Sequence, residues 1–256
     1  MNKNELLSKI IQKKEFSQLP EKDAEMAFSH FEKRQTSDEE KIRLTRELLH
    51  KVFGAFGSRK LLIPKNRTSE WVLRKHMSTR ERFSYYKKIY ARILKGLGKR
   101  ISVIDLGAGV NGFSYRYFEE LGLDVNYNSI EAVGQLVVLM NDFFKEEKIK
   151  GKAIHASLFE HEKLKKIINK TERPRVIFLF KVLDSLEMLK RDYSKELISE
   201  LFPFADRMVV SFATESMIKR KRFRVSRNWI IEFVREKFKI IDDFEIAGER
   251  YFVFGK

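Results

Sequence analysis

The residues whose types and spacing could do chemistry lie mostly beyond residue 100. "VIDLGAGVNGF" (Val103–Phe113) is an apolar, β-branched run that reaches Asp105 and then opens into glycines at 107, 109 and 112. Glycine lets a backbone turn sharply and approach a ligand closely. Gly107 and Gly109 are therefore candidate cofactor-binding residues, with Asp105 at the threshold of their loop. The third glycine of a nicotinamide-dinucleotide fingerprint is missing. A second apolar run, "YNSIEA", ends at Glu131, 26 residues beyond Asp105. An acid there would meet the ribose hydroxyls of a bound nucleoside. "RVIFLFK" ends in Lys181, and a lysine closing a buried strand must reach a polar cleft or an ion pair. The stretch "IKRKRFRVSR" (Ile218–Arg227) carries six basic residues and no acid. Lys219, Arg220, Lys221 and Arg222 in it are candidate contacts to nucleic-acid phosphates.

Other chemistries are excluded or disfavoured. With no cysteine in 256 residues, disulfides, thiolate-bound zinc, iron–sulfur clusters and thiol nucleophiles are ruled out, and a reducing compartment suits the chain. The five histidines have no metal-binding spacing, so no metal is expected. No apolar stretch nears the roughly 20 residues of a membrane span, and "MNKNELLSKIIQKKEF" lacks a signal-peptide core. A soluble, cytoplasmic monomer away from membranes is expected.

The elements that must position these residues change type near residue 98. Before it, "ELLSKIIQKKEF" and "DEEKIRLTRELLHKVFGAF" space their apolar residues as helices do. A further helix is expected from Ser78 to about Leu97. It would be started by a Ser78–Glu81 capping box and ended by Gly96 and Gly98. After residue 98, apolar strands alternate with helical patterns, which implies a mostly parallel sheet covered on both faces. The last segment, "FKIIDDFEIAGERYFVFGK", reads as a hairpin turning at Ala247-Gly248. The expectation is a helical module over residues 1–98 and an α/β domain over 99–256.

Charge is distributed unevenly between these parts. Of the net +16, residues 41–100 supply +15, from 18 Lys/Arg against only Glu47, Glu70 and Glu81. Such a block is the footprint of a polyanion-binding surface, with Arg59, Lys60, Lys65 and Arg67 as candidate RNA contacts.

Four stretches carry a family resemblance. D-x-G-x-G at Asp105–Gly109 is similar to the loop of S-adenosylmethionine (SAM)-dependent methyltransferases. "HMSTRER" (His76–Arg82), "DLGAGVNGF", "FLFKVLDSLE" and "VVSFATESMIKRKRF" resemble segments of the aminoglycoside-resistance 16S rRNA (guanine-N7) methyltransferases. The likeness spans roughly residues 70–256. It implies a class I methyltransferase fold of the Rossmann-like type behind a helical ribosome-binding module. It also implies SAM as cofactor and ribosomal RNA of the 30S subunit as partner. By the same resemblance, Thr79 and Arg80 would lie near the methionine carboxylate, Gly107 and Gly109 beneath the methionine part, Glu131 at the ribose, and Lys181 close to cofactor and target. The family's acid near the adenine falls at Ser157, and its Asn-Pro at Asn111-Gly112. Those departures leave room for an RNA- or ribosome-binding factor with little catalysis, or for a methyltransferase of another RNA. A small-molecule or protein methyltransferase would leave the basic block unexplained.

Guanine N7 carries a lone pair and no proton, so its methylation needs positioning and electrostatics rather than a general base. A paired guanine would have to be extruded and stacked. Phe113, Phe212 and Trp229 are aromatic candidates for that role, each also readable as core.

Overall fold

The computed structural model describes residues 1–54, 61, 67–214 and 227–256. At the N-terminal end, apolar residues on one face make α1 (Lys3–Ile11), α2 (Glu21–Ser29) and α3 (Asp38–Leu49), and α3 runs on into a π-helical turn, His50–Gly54. Asn2 and Glu5 form a reciprocal capping box on α1, and the Ser37 hydroxyl caps α3. Then come α4 (Ser69–Lys75), α5 (Met77–Arg82), a 3-10 turn at Phe83–Tyr85, and α6 (Tyr86–Ile93).

Here the structure corrects two expectations. The helix expected from Ser78 onward is two short helices joined by the 3-10 turn, and α5 begins after His76 with no side-chain cap. Ser78 Oγ bonds His76 Nδ1 at 3.1 Å, and Glu81 pairs with Lys181. A charged partner in a buried setting is a stronger attraction for Glu81 than a neutral backbone amide. Gly96 (φ 84) and Gly98 (φ 82) do take the left-handed backbone expected of them.

The sheet consists of β1 (Arg100–Leu106), β2 (Asp124–Glu131), β3 (Gly151–His155), β4 (Arg175–Phe180), β5 (Arg207–Ala213), β6 (Lys239–Ile246) and β7 (Glu249–Gly255), in the order β3-β2-β1-β4-β5-β7-β6. The first five strands are parallel, and β7 inserts antiparallel between β5 and β6. Ala247 (φ 52) and Gly248 (φ 71) make the two-residue turn of the β6–β7 hairpin. The helices after β1 are α7 (Arg116–Glu119), α8 (Gly134–Glu146), α9 (His161–Asn169), α10 (Leu183–Leu189), α11 (Tyr193–Leu201) and α12 (Asn228–Lys237).

Alternating side chains send each strand into two cores. Val103, Phe178, Val209 and Val253 join a cluster with Leu6, Ile10, Phe28 and Tyr90 of the N-terminal helices. Ile104, Ile177, Met208 and Phe252 pack against Leu164, Leu197 and Ile230 of α9, α11 and α12. The first cluster runs across residue 98 without a break, so the N-terminal helices are one cover of the sheet. They lie close: Gly134 N donates to Gln18 O at 3.3 Å, and a His30 ring nitrogen bonds Leu189 O at 2.8 Å. A side chain at position 134 would put its Cβ 2.8 Å from Gln18 Cβ, so this approach requires glycine. Among the described residues, no helix is long and apolar enough to cross a membrane.

Candidate cofactor pocket

The carboxyl ends of parallel strands in an open sheet leave a crevice where the strand order reverses. The reversal here is between β1 and β4, and a pocket of about 740 Å³, open mouth included, lies at those ends. Gly107 and Gly109 from the loop after β1, Glu131 at the end of β2, Leu158 and Phe159 after β3, and Phe180 and Lys181 at the end of β4 all line it. Across from them stand His76 and Ser78, Val52 and Phe53 of the π-helical turn, and Asp23 of α2. The helical module is thus a wall of the pocket.

The glycine loop is held by an internal polar network. Asn111 Nδ2 donates to Asp105 Oδ2 at 2.7 Å, Tyr127 donates its phenol to the same oxygen, and Tyr86 donates to Asn111 Oδ1 at 2.8 Å. Asp105 is buried and does not line the pocket. Burial pushes its carboxyl above the ordinary range, against the hydrogen bonds from Tyr127 and Asn111. Gly107 (φ 69) and Gly109 (φ 57) need left-handed backbone, and a Cβ on Gly109 would lie 2.9 Å from His76 Nε2.

Glu131 ties this loop to the start of α8. Its Oε2 accepts from Gly109 N at 2.8 Å and its Oε1 from Val133 N at 2.8 Å. Burial nonetheless raises its pKa, opposed by those amides. Each carboxylate oxygen keeps a second lone pair, so a buried vicinal diol could still be recognised.

At the other end, Lys181 has left-handed backbone (φ 55). Its Nζ lies 3.1 Å from Glu249 Oε2 and pairs with Glu81. Arg82 donates to both oxygens of Glu249, at 3.1 and 3.0 Å, with its guanidinium 4.8 Å from the Phe180 ring centre. Two cations and two carboxylates balance, as buried charge demands. Burial pushes the Glu249 carboxyl up, but Arg82 and Lys181 outweigh it and hold it below the usual range. His76 is driven the other way, down to about 3, by burial and then by Arg82 and Lys181. The imidazole is neutral at physiological pH.

Of the residues singled out in the sequence, Gly107, Gly109, Glu131 and Lys181 meet in the pocket. Thr79 is buried outside its lining, donating its hydroxyl to Leu73 O at 2.7 Å. Arg80 is exposed and outside the lining. Ser157 is buried beside the Asp23 carboxyl, and its Oγ accepts from Phe159 N at 3.1 Å. Phe113 stacks on Phe143 at 4.3 Å and Phe212 on Phe252, both buried in the core, and Trp229 is half-buried against the second core. Arg67 is exposed, 4.3 Å from the Trp71 ring centre. Arg59, Lys60, Lys65, Lys219, Arg220, Lys221 and Arg222 lie outside the described residues. Sequence reasoning missed Asp23, Glu249, and the roles of Arg82 and Glu81. Asp23 had one signal, an acid on the same helical stripe as Ala24, Ala27 and Phe28.

Among the described residues, no three metal-ligating side chains are grouped as a metal site. A nucleoside-bearing cofactor fits the residues present. The glycine loop gives an open backbone edge, Glu131 a buried carboxylate, and Asp23 Oδ2 is a buried acceptor with no hydrogen-bond partner.

Comparison with known proteins agrees with this geometry. The family model described as "Ribosomal RNA methyltransferase (FmrO)" matches residues 65–250. The 16S rRNA methyltransferase RmtF, solved in complex with S-adenosyl-L-homocysteine, is 20% identical with a TM-score of 0.78, over 100% of this chain and 99% of that one. An rRNA methylase from Escherichia coli is 20% identical with a TM-score of 0.76, over 100% of both chains. The 16S rRNA methylase RmtB is similar at 20% identity and a TM-score of 0.75, covering 100% of this chain and 99% of its own. At such identities the likeness establishes the class I methyltransferase fold. No curated protein matches the chain. The family match extends over both the glycine loop and Lys181, and the chain belongs to the FmrO family of ribosomal RNA methyltransferases.

Proposed function

We propose that this enzyme transfers a methyl group from SAM to guanine N7 in small-subunit ribosomal RNA, with the 30S subunit as its substrate. The cofactor supplies an electrophilic methyl group on a sulfonium. Glu131 would hold the ribose hydroxyls and the Gly107–Gly109 backbone would border the methionine part. Lys181, fixed by Glu81 and Glu249, would add positive charge beside the acceptor base and hold it in place. These residues bind and orient, and the pocket walls exclude water.

The observation that carries the choice of N7 is the protonation state at the Lys181 end. Lys181 is engaged by two carboxylates. The neighbouring imidazole of His76, at about 3, is too weak a base to take a proton at neutral pH. Asp23 stands by Ser157, beyond the end of β3. With β2 and β1 between β3 and β4, that is about 14 Å from Lys181 at the usual strand spacing. The carboxylates that are near, Glu81 and Glu249, are committed to ion pairs with Lys181 and Arg82, and such a site suits a nitrogen that has no proton to lose. Exocyclic amines and ribose hydroxyls do not meet that condition.

Purified 30S subunits, naked 16S rRNA and tRNA incubated with the enzyme and radiolabelled SAM would test this. Label in 30S subunits, mapped by aniline cleavage to one guanine, is the expected result. Label in no RNA would overturn the enzyme reading, and label in tRNA alone the ribosomal one. Label that resists aniline cleavage would overturn N7.

A further inference from the structure

We infer that Asp23, from the second helix of the N-terminal module, is the residue that recognises the cofactor's adenine, accepting a hydrogen bond from its 6-amino group at Oδ2. The inference rests on the SAM reading above and deepens it.

Asp23 is 2% exposed, lines the pocket, and its Oδ2 has no hydrogen-bond partner. A buried acceptor left unmade costs stability, so it calls for a ligand to complete it. The chemistry of that ligand follows from the surroundings. The neighbouring pocket walls are apolar: Val133, Leu136, Leu158 and Phe159. A flat, mostly apolar ring with one donor edge suits such a slot. Glu131 is on the adjoining strand of the sheet, so a ribose held there would present its base toward β3 and Asp23.

Ser157 supports the assignment. It sits beside the Asp23 carboxyl after β3, where the strand-end loop could itself have carried an acid. The acid is instead delivered to the same spot from α2. Burial raises the carboxyl to about 7 against a hydrogen bond with Ser157, with Glu131 and Glu160 adding like charge. Both states can serve the adenine edge, since the ionised oxygen accepts from the amine and the protonated form accepts through its carbonyl.

Calorimetric titration with S-adenosyl-L-homocysteine and with S-inosyl-homocysteine, whose 6-amino is replaced by an oxo group, provides the test. The wild type should prefer the adenosyl compound at least about tenfold. Asp23→Ala should lose at least about tenfold in affinity for it and most of the preference, while melting no lower than wild type without ligand. Combining Asp23→Ala with Ser157→Asp should restore both. Equal affinity of wild type for the two compounds, or an Asp23→Ala protein that binds and discriminates as wild type does, would overturn the proposal while leaving the SAM reading intact. A wild type that binds neither compound would overturn both.

Discussion

An ionised carboxylate at Asp23 would sit in a nearly dry wall beside Glu131 and Glu160, and that sets its dependence on pH. Burial raises its pKa from 3.8 to about 7. Because the folded value lies above the unfolded one, its contribution to stability is largest when it is protonated and is lost as pH rises from about 4 through about 7. Asp23→Asn keeps the shape and removes the titration. This variant should melt above wild type at pH 8, by at most about 4 kcal/mol, with the gap narrowing toward pH 5. Thermal unfolding across that range is the measurement, and a gap that widens toward acid would contradict the sign. His76 has the opposite linkage, since its folded value of about 3 lies below 6.5 and its contribution is lost as pH falls below the unfolded value. It acts alike on both proteins, so the difference isolates Asp23. Glu131 and Lys181 were legible in the sequence because each ends an apolar run whose strand fixes where its side chain emerges. Asp23 was not, because its place on the apolar stripe of α2 marks it as buried but does not say which part of the sheet that stripe meets.

At the scale of elements, the contact between α8 and the loop after α1 decides whether the pocket has a wall. Gly134 begins α8. A Cβ there would meet Gln18 Oε1 at 2.7 Å, Gln18 Cβ at 2.8 Å and Gln18 O at 3.2 Å. The amide oxygen can swing aside, but the carbonyl is backbone of the facing loop and Cβ is fixed to it, so neither moves unless the loop does. Gly134→Val should therefore push the module outward, costing about 1–3 kcal/mol by overpacking. It should also weaken S-adenosyl-L-homocysteine binding, because Val133 and Leu136 lie on one side of that contact and Asp23 on the other. Urea unfolding and calorimetry would read the two effects. Unchanged midpoint and affinity would show that the loop yields freely. The strand series and the Ala247-Gly248 turn were readable from apolar runs and turn chemistry. The Ser78–Glu81 cap misled because its sequence pattern is local, whereas Lys181, which claims Glu81, is 100 residues away.

Over the whole molecule, the +15 of residues 41–100 is the dominant asymmetry. Affinity for ribosomal RNA should fall at least about tenfold between 50 and 200 mM salt, since phosphate contacts release condensed counterions; filter binding over that range measures it, and a flat response would remove the electrostatic basis for RNA binding. The order of the strands carries a consequence for how the chain assembles. β6 leaves the ribosome before β7, yet β7 lies between it and β5, so neither can join the sheet until both exist. β7 also brings Glu249, the shared partner of Arg82 and Lys181. During synthesis, those two cations stand without their common anion. A nascent chain can hold five paired strands and still lack the charge-balanced Lys181 end of the candidate pocket, which comes into being with the β6–β7 hairpin.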